Sequence, residues 1–213
     1  MPGVSVPFGG ESEHQRRNAG KAETDSIEKQ LDFTSSRRFQ SQNSDENDSS
    51  HTMGRSAVKI IIDSREQAPF AFEHERYAGT ETETGTLTVG DYSLVGLTDK
   101  VGVERKELGD LVACLSRERE RFERELCRAA AMDAFCVVVE SQWSTLANGQ
   151  YRSQMDAHAA CQSVAAFMAR HRVPFLFAGS RAGAEYACWS FLRQYLEGAR
   201  KRWSAIVKAH GGA

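Results

Sequence analysis

The chain of 213 residues is predicted to fold as an α/β sandwich around a central mixed sheet, preceded by a disordered tail. Short β-branched and apolar runs alternate with segments of helical periodicity, which predicts the sandwich. Residues 1–56 are instead rich in Ser, Asn, Gln, Glu and Arg. Such a sequence buries too little apolar surface to offset its ordering entropy, so we expect a disordered tail there and one folded domain over residues 57–213. A partner-binding arm, or a chain that starts at Met53, is the alternative interpretation.

Three short strands are expected in the first half of the folded domain. Val58–Asp63 is a β-branched run that ends in a carboxylate, as a buried strand does where it emerges at a sheet edge. Thr86–Val89 leads into Gly90-Asp91, and Val101–Lys106 is the third run. Each run therefore ends next to a charged residue.

The third run separates its side chains between two faces. Because successive side chains of a strand point to opposite sides, Glu104 and Lys106 share one face, while Val101, Val103 and Arg105 share the other. A carboxylate and an ammonium on one face can serve one reaction centre. For an isolated pair of this kind, a solvated strand face is the competing interpretation.

Helices and strands alternate in the second half of the domain. The predicted elements are a helix from Asp110 to Leu115, a helix from Ser116 to Met132, a strand from Phe135 to Glu140, a helix from Asp156 to Arg172, a strand from Val173 to Ala178 and a helix from Ala182 to His210. The continuous apolar run before Glu140 is typical of a strand covered on both sides. Ser141 to Ser153 is expected to be a loop that borders the substrate.

Acidic residues cluster at the ends of the predicted strands, together with one lysine. The cluster consists of Asp63, Glu66, Asp91, Glu104 and Lys106. Acidic side chains are normally kept out of strands, and their oxygens are the ligands that hard divalent cations prefer. A neighbouring lysine can orient or deprotonate the attacking water, or stabilise charge on a phosphate. The sequence therefore predicts a metal-dependent nuclease.

The spacing of these residues resembles a known signature. Gly90-Asp91, Glu104-Arg105-Lys106 and Asp110 are similar to the G-D-x(n)-E-R-K-x(3)-D pattern of XPF-type nucleases. Asp63-Ser-Arg-Glu66 resembles the D-x-R-E that opens the same domain, and the resemblance extends from about Val58 to Ala178. It implies a restriction-endonuclease-like α/β/α fold and a structure-specific DNA endonuclease of repair or recombination.

The resemblance also implies roles for individual residues. Asp63, Asp91 and Glu104 would be metal ligands, with Glu66 as a further ligand or close support, and the Arg105 carbonyl would also coordinate. Magnesium is expected because every candidate ligand is an oxygen donor, and manganese should substitute.

The remaining motif residues would act on water and phosphate. By the resemblance Lys106 would position the nucleophilic water, Arg65 and Arg105 would bind the phosphate or stiffen the site, and Asp110 would support it. No nucleotide cofactor is expected, since the G-x-x-x-x-G-K-[ST] pattern of ATP-driven motors is missing from the sequence.

Four arginines fall on one predicted helical stripe: Arg117, Arg121, Arg124 and Arg128. A charged solvent face is one interpretation. The other is that Arg117 or Arg121 contacts the DNA backbone, because this helix follows the acidic strand closely. The formal net charge is −2, and the acidic and basic residues beyond position 56 are equal in number. DNA binding is therefore expected to depend on metal and on salt.

The C-terminal helical region carries more large apolar residues than one face of a small domain needs. By the resemblance this region would pair two copies in a homodimer, whereas packing on the sheet is the competing account. No run is long enough to span a bilayer, so a cytoplasmic protein is expected, bacterial or phage-encoded by its architecture, or nuclear if eukaryotic. The family's tandem helix-hairpin-helix module is not recognised in the chain.

Two alternatives to a structure-specific nuclease stay open. One is a restriction-like or phage-associated nuclease that acts on duplex DNA. The other is a non-catalytic DNA-binding scaffold, against which the complete motif argues.

Overall fold

The computed structural model describes residues 57–211; the predicted disordered tail lies outside the described residues. The strands are β1 Val58–Asp63, β2 Thr80–Gly85, β3 Tyr92–Leu94, β4 Val101–Lys106, β5 Ala134–Val139 and β6 Phe175–Phe177. The helices are α1 Leu108–Leu115, α2 Arg119–Ala129, α3 Trp143–Ala147, α4 Ala157–His171 and α5 Arg181–His210, with a 3₁₀ turn at Glu75–Tyr77.

The six strands form one mixed sheet in the order β2-β1-β3-β4-β5-β6. β1 pairs with β2 in parallel, β3 runs antiparallel to both β1 and β4, and β4, β5 and β6 are parallel. The predicted mixed sheet with helices is confirmed. The single reversal at β3 matters for the site, because it brings the start of β3 to the edge where β1 and β4 end.

One face of the sheet is covered by the first four helices. Phe135, Val137 and Val139 of β5 point to this side, where they join a buried cluster with Phe122 of α2 and Phe167 of α4. The alternation of β5 side chains between two faces explains the continuous apolar run seen in the sequence, since each face has its own core.

The opposite face is covered by the first half of α5. Its buried residues Cys188, Trp189 and Leu192 pack in the same cluster as Ile60 and Tyr92 of the sheet. Beyond this half the helix carries exposed apolar side chains, among them Trp203 at 67% and Ile206 at 52% exposure. None of the described helices is long and apolar enough to span a membrane.

The predicted strand over Thr86–Val89 is wrong. The second strand along the chain is β2, which consists of alternating Thr and Glu and a final Gly. It contains no apolar residue, and because it lies at a sheet edge most of its side chains are exposed. Residues 86–89 form no ladder. The backbone N–H and carbonyl of Leu87 are instead bonded to the side chains of Asp63 and Arg65.

Two further predictions need correction. The helix expected from Ser116 to Met132 begins only at Arg119 and ends at Ala129, so Arg117 lies in the turn before it and not on the helical stripe. The loop expected from Ser141 to Ser153 contains the short helix α3, because Leu146 packs into the core and is fully buried.

Candidate active site at the sheet edge

Acidic residues from separate strands meet where β1 and β4 end and β3 begins. Asp91 lies directly before β3. Its carbonyl accepts a hydrogen bond from the Asp63 amide at 2.8 Å, and its own amide donates to the Val103 carbonyl at 2.9 Å. Because of this register, the backbone of Asp91 is fixed between the two strands that carry Asp63 and Glu104.

The turn before Asp91 requires glycine. Gly90 has a φ of 78°, in the region that other residues rarely adopt. A Cβ at this position would lie 3.0 Å from the Val103 carbonyl oxygen and from the Phe135 ring. The Gly-Asp pair of the motif is therefore a structural requirement for placing the carboxylate.

Asp91, Glu104 and Lys106 form the centre of the site. Burial raises the pKa of Asp91 to about 6, although the Arg105 amide, which donates to Asp91 Oδ2 at 2.8 Å, works in the opposite direction. Burial and the Asp91 charge raise the pKa of Glu104 well above its ordinary value. Two carboxylates thus share a poorly solvated space, which costs free energy unless a cation is present.

Lys106 supplies one positive charge to this space. Its Nζ hydrogen-bonds Glu104 Oε1, as expected for two residues on the same face of β4. Burial opposes the ammonium, but the Glu104 carboxylate raises the pKa of Lys106 overall, so the side chain is charged at neutral pH. When both carboxyl groups are ionised, one lysine against two carboxylates leaves an excess of negative charge, and the raised pKa values of Asp91 and Glu104 reflect its cost.

Asp63 is buried beside the same pocket, and its negative charge is balanced by Arg65. Its carboxylate accepts hydrogen bonds from the amide, Nε and Nη2 of Arg65 at 2.7–2.9 Å and from the Leu87 amide at 2.7 Å. The hydrogen bond from Arg65 lowers the pKa of Asp63 to about 2. Arg65 itself lies on the wall of the pocket with Asp91, with 70% of its side chain exposed.

Glu66 and Arg105 are bound to each other. Arg105 donates to Glu66 at 3.4 Å, to Glu107 at 3.0 Å and to Glu140 at 2.6 Å, and only 8% of its side chain is exposed. Of the two predicted roles of Arg105, these contacts favour stiffening the site over direct phosphate binding. Local sequence pattern does not assign Glu140 to the site, because its partner Arg105 is 35 residues away.

The other predicted residues lie at the rim. Asp110, in the first turn of α1, and Arg121, on α2, line the same depression as Asp91 and Lys106. Arg121 pairs with Glu118 at 2.5 Å. Arg117 also pairs with Glu118, at 3.7 Å, but its side chain is 80% exposed and lies outside this depression.

Two residues of α2 were missed as site residues. Glu125 and Arg128 line the pocket with Asp63, Asp91 and Glu104. Arg128 follows Arg121 by seven residues, so its position on the same helix face was a usable signal. Within the described part of the chain, Arg128 has no ion pair, which leaves its guanidinium available to an anion.

The donor set can be compared with what a metal ion requires. Across residues 57–211, no three His, Cys, Asp or Glu side chains are placed to hold a metal ion by themselves. Asp91 and Glu104 nevertheless suit Mg²⁺, which binds through one or two carboxylates together with waters and substrate phosphates. Asp63 and Glu66 are bound to arginines, so their ligand role stays a prediction.

Comparisons with known proteins agree with the fold. The ERCC4 domain family matches residues 62–187. The solved structure of XPF from Aeropyrum pernix is similar with a TM-score of 0.52 and 19% identity, over 73% of this chain and 75% of that one. The complex of XPF from Aeropyrum pernix with DNA gives a TM-score of 0.50 and 18% identity, over 66% of each chain. A search of curated proteins finds no match.

The sheet, the helices on both faces and the acidic edge define an XPF-type nuclease fold. Because the family match spans more than half of the sequence, the chain belongs to the ERCC4 domain family. Family membership implies a DNA endonuclease.

Proposed function

We propose that this protein is a magnesium-dependent endonuclease that hydrolyses phosphodiester bonds in branched or otherwise structured DNA during repair or recombination. The observation that carries the proposal is the pair of carboxylates, half-buried Asp91 and buried Glu104, beside the Lys106 ammonium. This centre has an excess of negative charge, which a hard divalent cation would compensate. Manganese is proposed to substitute for magnesium.

Asp91 and Glu104 are the residues proposed to hold the metal, with the Arg105 carbonyl as a further oxygen donor. When bound, Mg²⁺ supplies Lewis-acid stabilisation of charge on the phosphate. The chain's own contribution is rigid placement, since the Asp91 backbone is bonded to both neighbouring strands. Burial of the Glu104 side chain strengthens its charge interactions.

Lys106 is proposed to orient the attacking water. One hydrogen of its Nζ is directed to Glu104, and the other two can donate to the water and to a phosphate oxygen. The water oxygen bonds to phosphorus and releases one proton to solvent, one P–O ester bond breaks, and the leaving oxygen takes up one proton, so each cleavage consumes one water. Arg65 and Arg121 on the pocket wall, together with the unpaired Arg128, would bind the flanking phosphates.

We also propose that two copies of the chain associate through the second half of α5. This half exposes Trp203 and Ile206, which is unusual for large apolar residues of a monomer surface. A single copy in solution across a range of concentrations, measured by analytical ultracentrifugation, would refute this part of the proposal.

The activity is tested with labelled fork, flap, duplex and single-stranded DNA, each with Mg²⁺, Mn²⁺ or a chelator. We expect metal-dependent incision of the branched substrates and no incision with the chelator. Asp91→Asn should abolish incision while leaving the circular dichroism spectrum unchanged. Equal cleavage of plain duplex would favour the restriction-like alternative, and metal binding without any incision would favour a scaffold.

A further inference from the structure

The segment that follows β1 is held from outside the motif by the first two turns of α5. We propose that Arg181 and Glu185 are positioning residues, which hold residues 66–72 and thereby fix Glu66 and Arg105 beside the reaction pocket. The inference deepens the proposed nuclease function and depends on it. Neither residue belongs to the acidic motif, and neither lines the pocket around Asp91.

Arg181 binds the backbone of the segment directly. Its Nη2 donates to the carbonyl of Ala68 at 2.7 Å and to that of Pro69 at 2.8 Å. Within the segment, the Ala68 amide donates to Glu66 Oε1 at 2.7 Å. Ala68, whose amide donates to Glu66, is therefore itself held by Arg181 of α5.

A second path runs from Arg181 through Glu140. Glu140 Oε1 accepts from Arg181 Nη1 at 3.0 Å and from Arg105 Nε at 2.6 Å, and the Glu140 side chain is only 9% exposed. Arg105 then donates to Glu66. Arg181, Glu140, Arg105 and Glu66 thus form a closed ring with the backbone of Ala68, and each member restrains the next.

The ring of Phe70 fills the space between the two arginines. The guanidinium carbons lie 5.1 Å (Arg181) and 5.8 Å (Arg105) from its centroid, within cation–π range. On another side Phe70 stacks on Tyr92 at 5.0 Å, and the Phe70 amide donates to the Tyr92 hydroxyl at 2.9 Å. Its position is determined by α5, β3 and β4 together.

Glu185 holds the far end of the segment. Phe72 has a φ of 52°, a conformation that is strained for a bulky residue with a Cβ. The Phe72 amide donates to Glu185 Oε1 at 2.7 Å, and its ring is buried. The carboxylate of Glu185 stabilises a backbone conformation that the chain would otherwise leave.

The restraint reaches the reacting groups through Arg105. The Arg105 amide donates to Asp91 Oδ2 at 2.8 Å, so a shift of this residue changes the placement of Asp91. Small displacements of catalytic groups reduce rates strongly, by up to about a hundredfold for about 1 Å. The restraint by Arg181 and Glu185 is expected to act on turnover, because neither side chain lines the pocket where substrate would bind.

The test compares Arg181→Ala with Arg170→Ala, which removes another partly exposed arginine paired with a glutamate, Glu123, on the helical side of the sheet. With Mg²⁺ and branched DNA, Arg181→Ala should lower kcat by about tenfold or more with KM nearly unchanged. Arg181→Lys should recover part of the loss, because it retains the charge. Arg170→Ala should cut like the parent.

Two further variants separate positioning from general destabilisation. Glu185→Gln retains an oxygen that accepts from the Phe72 amide and should cut like the parent, whereas Glu185→Ala should lower kcat. Combining Arg181→Ala with Glu66→Gln should cost less than the product of the two single effects, because both act through one ring.

Hydrogen exchange of the metal-free protein, with no DNA present, gives a readout that is independent of cleavage. Arg181→Ala should speed exchange in peptides covering residues 66–72 and leave those covering β5 unchanged. Parent-like cleavage by Arg181→Ala, or unchanged exchange in residues 66–72, overturns the inference. If the parent itself cuts no DNA, the proposed function fails, while the exchange data still decide whether α5 holds the segment.

Discussion

Asp63 and Asp91 are both acidic residues at the same sheet edge, yet the fold treats their charges in opposite ways. Asp63 is 2% exposed but accepts four hydrogen bonds, two of them from the Arg65 guanidinium, and its pKa falls to about 2. Among residues 57–211, the Asp91 carboxylate accepts one hydrogen bond, from the Arg105 amide, and burial raises its pKa to about 6. Burial alone therefore does not set the charge state of a carboxylate; the number of donors around it does.

The contrast separates a carboxylate that the fold pairs with its own arginine from one that shares a lysine with a second carboxylate. The Asp63 carboxylate is already paired with the Arg65 guanidinium. Asp91 and Glu104 share Lys106 and retain a negative charge that an external cation can compensate. Each of the following experiments tests that difference.

The largest effect is expected for Lys106→Ala in the cleavage assay. Loss of the ammonium removes the proposed donor to water and phosphate, and incision should slow by about 10²–10³-fold or more. Lys100→Ala is the matched control, since Lys100 precedes the same strand and pairs with Asp99 at an exposed turn. Equal rates for Lys106→Ala and the control would contradict the assignment.

The second largest effect is expected on the free energy of unfolding, measured in the absence of metal. Asp63→Asn should lower the free energy of unfolding at pH 7 by about 2 kcal/mol, because a carboxylate with a lowered pKa is lost. Asp91→Asn should leave it unchanged or raise it, because an ill-solvated charge is removed. Urea unfolding followed by fluorescence measures both. Similar losses for the two variants would remove the distinction between them.

The pH dependence of stability should differ in sign between the two sites. The pKa of Asp63 is below its ordinary value of 3.8, so its contribution is present above about pH 4 and is lost as the pH falls towards 2. The pKa of Asp91 is above 3.8, so the parent should lose stability relative to Asp91→Asn as the pH rises from about 4 to 6. Urea titrations at several pH values check both slopes; a constant difference between parent and Asp91→Asn would contradict the raised pKa.

The smallest effect is expected at the pocket wall. Arg128→Ala should raise KM several-fold and reduce the slope of log affinity against log salt by about one, as loss of one phosphate contact does. Arg124→Ala is the control, because Arg124 lies on the same helix but outside the pocket and pairs with Glu120. Fluorescence anisotropy with branched DNA at several salt concentrations is the measurement. An unchanged slope for Arg128→Ala would exclude it from the interface.

The proximity of Glu104 and Lys106 was predictable from the sequence, because it depends on local spacing. Glu104 and Lys106 are two residues apart on a strand, so the period of two alone places them on one face. The mixed sheet and the long C-terminal helix were likewise readable from apolar runs. The predicted strand at Thr86–Val89 failed, since β2 has no apolar residues and its pairing is decided by the neighbouring strand.

The distinction between Asp63 and Asp91 was not predictable. It depends on the Leu87 amide, 24 residues from Asp63, and on how far each carboxylate is removed from water. In the sequence Asp63 ends one apolar run and Asp91 closely follows another, so the hydrophobic pattern alone predicts the same role for both. The contacts of Arg181 with residues more than 100 positions earlier are beyond any local signal.

The composition of β2 has a consequence for assembly. An outermost strand offers unpaired backbone groups to which another strand can add, and charged side chains oppose such addition. Glu81 and Glu83 alternate with threonines along this strand and are exposed. Two copies brought together along this border would juxtapose four carboxylates, of which the two from Glu81 are paired with Lys59, so pairing along this edge is disfavoured relative to contact on another surface.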